Sequence, residues 1–276
     1  MGFSLNIRGR LLQFDRPAVM GIINATPDSF YSASRAVGTS DVSRRAEQMI
    51  ADGADFLDLG AYSTRPGCAD VSAEEETDRL CSAVQAARAV SADIPISVDT
   101  FRAHVALKAF EAGADIINDI SCLRDPDMLS TVAQMKVPYI LMHMRGTPQT
   151  MQQHCQYSHC TADVLRELAA KVADLERAGV CDIIIDPGFG FSKTLEQNYQ
   201  LMRDLPAFGV FHRPILVGIS RKSMITKPLG ITPAEALNGT TALNMAALMS
   251  GASILRVHDV KAAHEAVTLH AMLSNI

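Results

Sequence analysis

Eight short apolar runs recur along the chain, at Val19–Ile23, Phe56–Leu59, Pro95–Val98, Ile116–Ile117, Tyr139–Met142, Asp182–Ile185, Pro214–Val217 and Ile254–Val257. Most lack the polar alternation of a half-exposed strand, so they fit strands buried on both faces of a parallel sheet. Between them the spacing turns helical. In TADVLRELAAKVADLERAG, for example, Val164, Leu165, Leu168, Val172 and Leu175 fall on one face. Four helices are predicted to end alike, with Gly53, Gly113, Gly179 or Gly251 standing where a left-handed residue closes a helix. SADIP, MKVP and FHRP supply proline-containing stops before three further strands. Eight strand–helix units predict an α/β fold of the (β/α)8 TIM-barrel class. A doubly wound open sheet would show fewer strands and a GxGxxG after the first, and neither is seen.

Residues 3–14, FSLNIRGRLLQF, alternate like a short β-hairpin and are predicted to cap the barrel floor. No linker or composition shift follows, so residues 1–276 are expected to form a single domain. The length of 276 residues suits one such barrel, and 48% hydrophobic against 20% charged residues permits a large core. The nearest approach to a membrane span, Ala242 to Ala252, is short and broken by Asn244 and Ser250. The N-terminus has no signal-peptide core. The six cysteines show no CxxC pair, so they are read as reduced thiols of a cytoplasmic protein. A net charge of −5 without a basic stripe argues against nucleic-acid or membrane binding, and leaves room for a small anion held by a local cluster.

Each run ends in polar residues. The first leads into Asn24, the second into Ser63, Thr64 and Arg65, the third into Asp99, the fourth into Asn118 and Asp119. The fifth ends at His143 and the sixth at Asp186. The seventh leads into Ser220, Arg221 and Lys222, and the eighth carries Arg256 and His258. Barrel active sites are built at this C-terminal rim. Contact with solvent accounts for polar strand ends taken singly, but not for acids and amides inside apolar strings (SVDT, IINDI, IIIDPG), which need partners once buried. Asp99, Asn118 and Asp186 suit the hydrogen-bonding edge of a flat heterocycle such as an aminopyrimidinone. Arg65, Arg221, Lys222, Arg256 and His258 supply positive charge, with Asn24 as a neutral oxygen ligand. A diphosphate with Mg²⁺ fits that second group. DPGFGFSK (186–193) lacks P-loop spacing; Gly188 and Gly190 are expected to turn it tightly beside a flat ligand, with Phe191 as a wall.

MGIINATPDSF (20–30), STRPG (63–67), SVDT (97–100), IINDI (116–120), LMHMRGTPQTMQ (141–152), DPGFGF (186–191), VGISRKS (217–223) and RVHDV (256–260) together resemble the dihydropteroate synthase family. The resemblance covers nearly the whole chain in order. It implies a homodimeric enzyme of folate synthesis, the target of sulfonamides, which joins 6-hydroxymethyl-7,8-dihydropterin diphosphate to p-aminobenzoate and releases pyrophosphate. By motif, Asp99, Asn118, Asp186 and Lys222 would bind the pterin, and Asn24 would coordinate Mg²⁺. Arg65, Arg256 and His258 would hold the diphosphate. Thr64, Pro66, Phe191, Lys222 and Ser223 would line the p-aminobenzoate pocket. Lys222, Arg256, His258 and Asp99 form the implied catalytic set. The expected step is SN1-like: the leaving diphosphate is stabilised by cations, the electron-rich pterin shares the positive charge, and a neutral arylamine attacks without a strong base.

Two stretches depart from the family pattern. The first loop commonly reads PDSFSDGG and here reads PDSFYSASR (27–35), with Ser32 in place of an aspartate. A Gly-Glu pair ahead of STRPG is Ala61-Tyr62. Two other functions share the pterin face: a pterin-dependent methyltransferase, and a pterin-binding barrel without synthase activity. STRPG, SRKS and RVHD argue against the first, and the full set of leaving-group residues against the second. HCQYSHC (154–160) looks like a zinc site but is too compact for the usual spacing, so it is read as a polar linker. His143 is expected to be a packed rim histidine, and Met142 and Met144 wall residues. His104, His212, His264 and His270 are read as surface. The helices after the sixth to eighth runs, among which MAALMSGA is notably apolar, are candidate dimer surfaces.

Overall fold

The computed structural model describes residues 2–25, 35–62 and 71–274. The chain opens with a hairpin, β1 (Phe3–Ile7) and β2 (Arg10–Phe14), paired antiparallel with Phe3 opposite Phe14 and Ile7 opposite Arg10. Arg8 and Gly9 take positive φ, 50° and 81°, as a tight two-residue hairpin turn requires.

Eight parallel strands follow: β3 (Ala18–Asn24), β4 (Phe56–Gly60), β5 (Ile96–Asp99), β6 (Ile116–Asp119), β7 (Tyr139–Met142), β8 (Ile183–Asp186), β9 (Leu216–Val217) and β10 (Ile254–Val257). They pair in the order β8-β7-β6-β5-β4-β3-β10-β9, and a parallel bridge between Ile185 and Ile215 closes the ring. The seventh strand is shorter than its apolar run. Pro214 has no N–H to give the ladder, and its carbonyl alone joins, accepting from Ile185 N at 2.9 Å.

Helices α1 (Arg35–Ala51), α2 (Ala73–Val90), α3 (Ala103–Glu111), α4 (Met128–Met135), α5 (Cys160–Arg177), α6 (Leu195–Arg203), α7 (Ser223–Leu229), α8 (Leu237–Met249) and α9 (Val260–Ser274) surround the sheet. The glycine stops are where the sequence pattern puts them, all at positive φ. At Gly53 a Cβ would also lie 2.5 Å from the His264 ring, so that histidine packs into the space the glycine leaves and is half-buried. The MKVP and FHRP stops use the same geometry without glycine, with Lys136 at φ 52° and His212 at 49°.

Alternation along the strands divides the core. Val19, Leu57, Val98, Ile117, Leu141, Ile185, Val217 and Leu255 pack outward against the helices. The alternate positions Ala18, Met20, Phe56, Ile116, Ile140, Ile184, Leu216 and Ile254 form a separate inner layer with Leu5 and Ile7 of the hairpin. The hairpin therefore plugs the N-terminal floor. Arg8 pins it there, donating to Asp115 Oδ1 at 2.9 Å and to the carbonyls of Phe110 and Ala114 at 2.9 and 2.7 Å.

Candidate active site

Two residues above the floor, the inward positions turn polar. β4 contributes Asp58, β6 Asn118, β8 Asp186 and β10 Arg256, with Asp99 at the end of β5. Arg256 reaches from β10 past β3 to β4 and β5: Nε donates to Asp58 Oδ2 at 2.6 Å and Nη2 to Asp99 Oδ2 at 2.7 Å. Asn118 Nδ2 reaches both Asp58 oxygens at 3.3 and 3.4 Å, while its Oδ1, also buried, has no hydrogen-bond partner. An amide held in place with its carbonyl oxygen unused can accept a hydrogen bond from a bound molecule.

One guanidinium faces two carboxylates, so the cluster lacks one positive charge. Burial raises the Asp99 pKa to about 7; Arg256 opposes the rise and Asp58 adds to it. Burial also raises the Asp186 carboxyl, against Lys222 and the Gly188 N–H, which donates to Asp186 Oδ1 at 2.7 Å. Lys222 is pushed down to about 8 by burial, with Asp186 opposing. Its ammonium donates to Phe189 O at 2.8 Å and lies 4.6 Å from the centre of the Phe191 ring. A methyl group at Gly218 would lie 3.8 Å from Arg256 Cβ and 3.9 Å from Lys222 Nζ.

Two of the cations read from the sequence as an anion group, Lys222 and Arg256, thus share one cluster with the heterocycle group. Asp99, Asn118, Asp186, Lys222 and Arg256 all converge on it. His258 follows Arg256 by two residues, with Nδ1 3.0 Å from Ser220 Oγ. Asn24 is exposed at the end of β3, and Ser223 is exposed as the first residue of α7. Thr64, Arg65 and Pro66 lie outside the described residues, as does Ser32.

Arg221 belongs elsewhere. Expected among the anion-binding cations, it forms a two-bond ion pair with Asp259 at 2.9 and 2.6 Å and donates to the carbonyls of Pro233 and Ala234. It fastens the loop after β9 to the start of α9. Asp119 likewise faces outward and accepts from Ser121 N, Leu123 N and the Tyr139 hydroxyl. Met142, Met144, Met151 and Ile120 form an apolar wall with Phe101 and Phe191 packed against it. In the 154–160 stretch, His159 caps α5 through Ala162 N, and the buried Cys160 begins that helix. Among the described residues no group of three His, Cys, Asp or Glu gathers to hold a metal.

Asp58 lies in the middle of β4, not among the polar residues that end the apolar runs. The signal was present: DFLDLGA sets an acid inside an apolar run, as SVDT and IIIDPG do, and lies in phase with Phe56.

A closed barrel whose mouth carries a fixed amide, buried carboxylates and two cations defines an enzyme that binds a polar heterocycle. The family described as pterin binding enzyme matches residues 20–258. The chain belongs to it and, within it, to the dihydropteroate synthases, transferases of folate synthesis. The Escherichia coli (strain K12) dihydropteroate synthase is 44% identical over 262 residues, covering 94% of this chain and 93% of that protein. The Xanthomonas albilineans enzyme solved with 4-aminobenzoic acid superimposes with a TM-score of 0.92 at 38% identity, covering 100% of both chains. The same enzyme in complex with 7,8-dihydropteroate gives a TM-score of 0.88 at 36% identity, covering 99% of this chain and 100% of that one.

Proposed function

We propose that the chain condenses 6-hydroxymethyl-7,8-dihydropterin diphosphate with p-aminobenzoate, releasing pyrophosphate and forming 7,8-dihydropteroate. The observation that supports this reading is the mouth cluster, where the unused Asn118 oxygen and the Asp99 and Asp186 carboxylates stand beside Lys222 and Arg256 as acceptors suited to a pterin edge. Solved relatives with 4-aminobenzoic acid and with dihydropteroate support the choice of substrates.

In the reaction the methylene C–O bond breaks and its electron pair leaves with the diphosphate. Asp99, Asn118 and Asp186 hold the ring, so the positive charge left on the methylene carbon is shared with an oriented dihydropterin. Arg256, His258 and Arg65 receive the departing anion. The arylamine nitrogen then forms the C–N bond and gives its proton to solvent. Thr64, Pro66, Phe191, Lys222 and Ser223 line its approach, with Phe191 packed against the methionine wall.

Asn24 offers an exposed neutral oxygen at the end of β3, while Asp58 and Asp99 are engaged by Arg256. That donor set fits a Mg²⁺ ion that brings diphosphate and water oxygens with it. Bound there, Mg²⁺ would neutralise diphosphate charge. We further propose a cytoplasmic homodimer, because Leu229, Leu237, Met249, Leu269, Met272 and Leu273 expose apolar surface on α7, α8 and α9. Nucleic-acid or membrane partners are not part of this reading. Among the described residues, no helix is long and apolar enough to cross a membrane.

The test is pyrophosphate release from the dihydropterin diphosphate with Mg²⁺, with and without p-aminobenzoate. Release that needs p-aminobenzoate and stops with EDTA is expected. Pterin binding without release would replace this reading with that of a binding protein.

A further inference from the structure

Lys193 is buried, 4% exposed, and has no place in the proposed chemistry. Its Nζ lies 3.0 Å from His143 Nδ1, 3.0 Å from Gly188 O and 3.0 Å from Phe191 O, so each N–H of the ammonium has an acceptor. His143 completes the arrangement. Burial, aided by Lys193, pushes its pKa down to about 4, leaving Nδ1 free to accept and Nε2–H to donate to Glu167 at 3.0 Å. Arg145 holds Glu167 from the other side, and its backbone N–H donates to Ser192 Oγ at 3.0 Å.

We propose that Lys193 is a positioning residue, which ties the 187–191 loop to the end of β7 and thereby presents Asp186, Phe191 and Lys222 to the ligands.

Three contacts carry the effect from Lys193 to the mouth. Gly188, whose carbonyl Lys193 holds, donates its N–H to Asp186 Oδ1. Phe191, whose carbonyl it also holds, places its ring under the Lys222 ammonium. Between them, Phe189 O accepts from Lys222. The loop sits so close to β7 that a Cβ at Gly188 (φ 74°) would lie 1.9 Å from the His143 carbonyl oxygen. Backbone that tight stays in place only while its carbonyls are satisfied, and here one side chain satisfies two of them. Burial pushes the Lys193 pKa down to about 7, with Cys160 and Asp186 opposing.

The inference rests on the synthase reading for its ligands but not for its loop, so two readouts separate them. Lys193→Met keeps side-chain length and removes every donor, whereas Lys193→Gln keeps two N–H groups. Steady-state kinetics should show KM for p-aminobenzoate rising about tenfold or more in Lys193→Met while kcat at saturation falls less than about threefold. Lys193→Gln should recover part of that loss. Without substrate, amide exchange across 187–192 should speed up about tenfold in Lys193→Met while β3 to β5 stay unchanged. If Lys193→Met does not fold, Lys193→Gln carries the same readouts, with smaller changes of the same sign expected. Unmoved exchange overturns the proposal, as does a fall in kcat with KM unmoved. An inactive wild type with the expected exchange change would sink the synthase reading and leave the loop tether standing.

Discussion

The floor and the mouth of the barrel are made by the same strands, two residues apart, yet they could hardly differ more. At the floor, Phe56, Ile116, Ile184 and Ile254 interlock with the hairpin's Leu5 and Ile7. At the mouth, the next inward positions on those strands are Asp58, Asn118, Asp186 and Arg256. The floor is stabilised by apolar burial, at about 25 cal/mol per Å² removed from water. The mouth instead carries desolvated charges that offset one another only in part, as the raised Asp99 carboxyl shows. Stability and function are thus stacked in separate layers, and a substitution's layer should decide which of the two it damages.

The largest expected effect tests the floor. Phe56→Ala should cost about 3–5 kcal/mol in denaturant unfolding, with kcat per folded molecule unchanged. A matching loss of turnover would mean that the layers are not separable. At the mouth, Asp186→Asn should lower kcat/KM about a hundredfold or more, roughly 3 kcal/mol of transition-state stabilisation, and leave the melting curve near wild type. Normal turnover in that variant would remove the pterin edge from Asp186.

Smaller effects sharpen the picture. Asn24→Ala should raise the Mg²⁺ concentration for half-maximal rate about tenfold, and an unmoved titration would take Asn24 out of the metal site. The pH profile of kcat/KM should be a narrow bell. Asp99 must lose its proton to accept from the pterin, so the rate climbs through about 7. Lys222 must keep its proton to face the anion, so the rate falls through about 8. A plateau extending to pH 9.5 or above would show that Lys222 does not need its charge.

The layering also explains what was legible in the sequence. Periodicity and helix stops are local, so the hairpin, the strands and the glycine turns could be placed from residue spacing alone. Asp99, Asn118, Asp186 and Lys222 were visible as polar residues at the ends of apolar runs. Asp58 sits inside its run, and the trace it leaves is fainter: an acid in an apolar string, in phase with Phe56. Pairings between distant residues leave no local trace. Arg256 meets Asp58 198 positions away, and the neighbours of Lys193 come from two different loops. The same limit applies to Arg221, a cation in a rim motif that Asp259 claims for structure.

The hairpin at the floor has a kinetic consequence. It precedes in the chain every strand it covers, and its Leu5 and Ile7 share one apolar cluster with residues as distant as Ile254. Its docking therefore waits for the ring to close, because loop-closure entropy must be overcome before distant contacts form. Until then the underside of the sheet is bare, so slowing hairpin docking should lengthen the lifetime of a species prone to self-association. Arg8→Ala, which cuts the tether to Asp115, is the substitution that would prolong it.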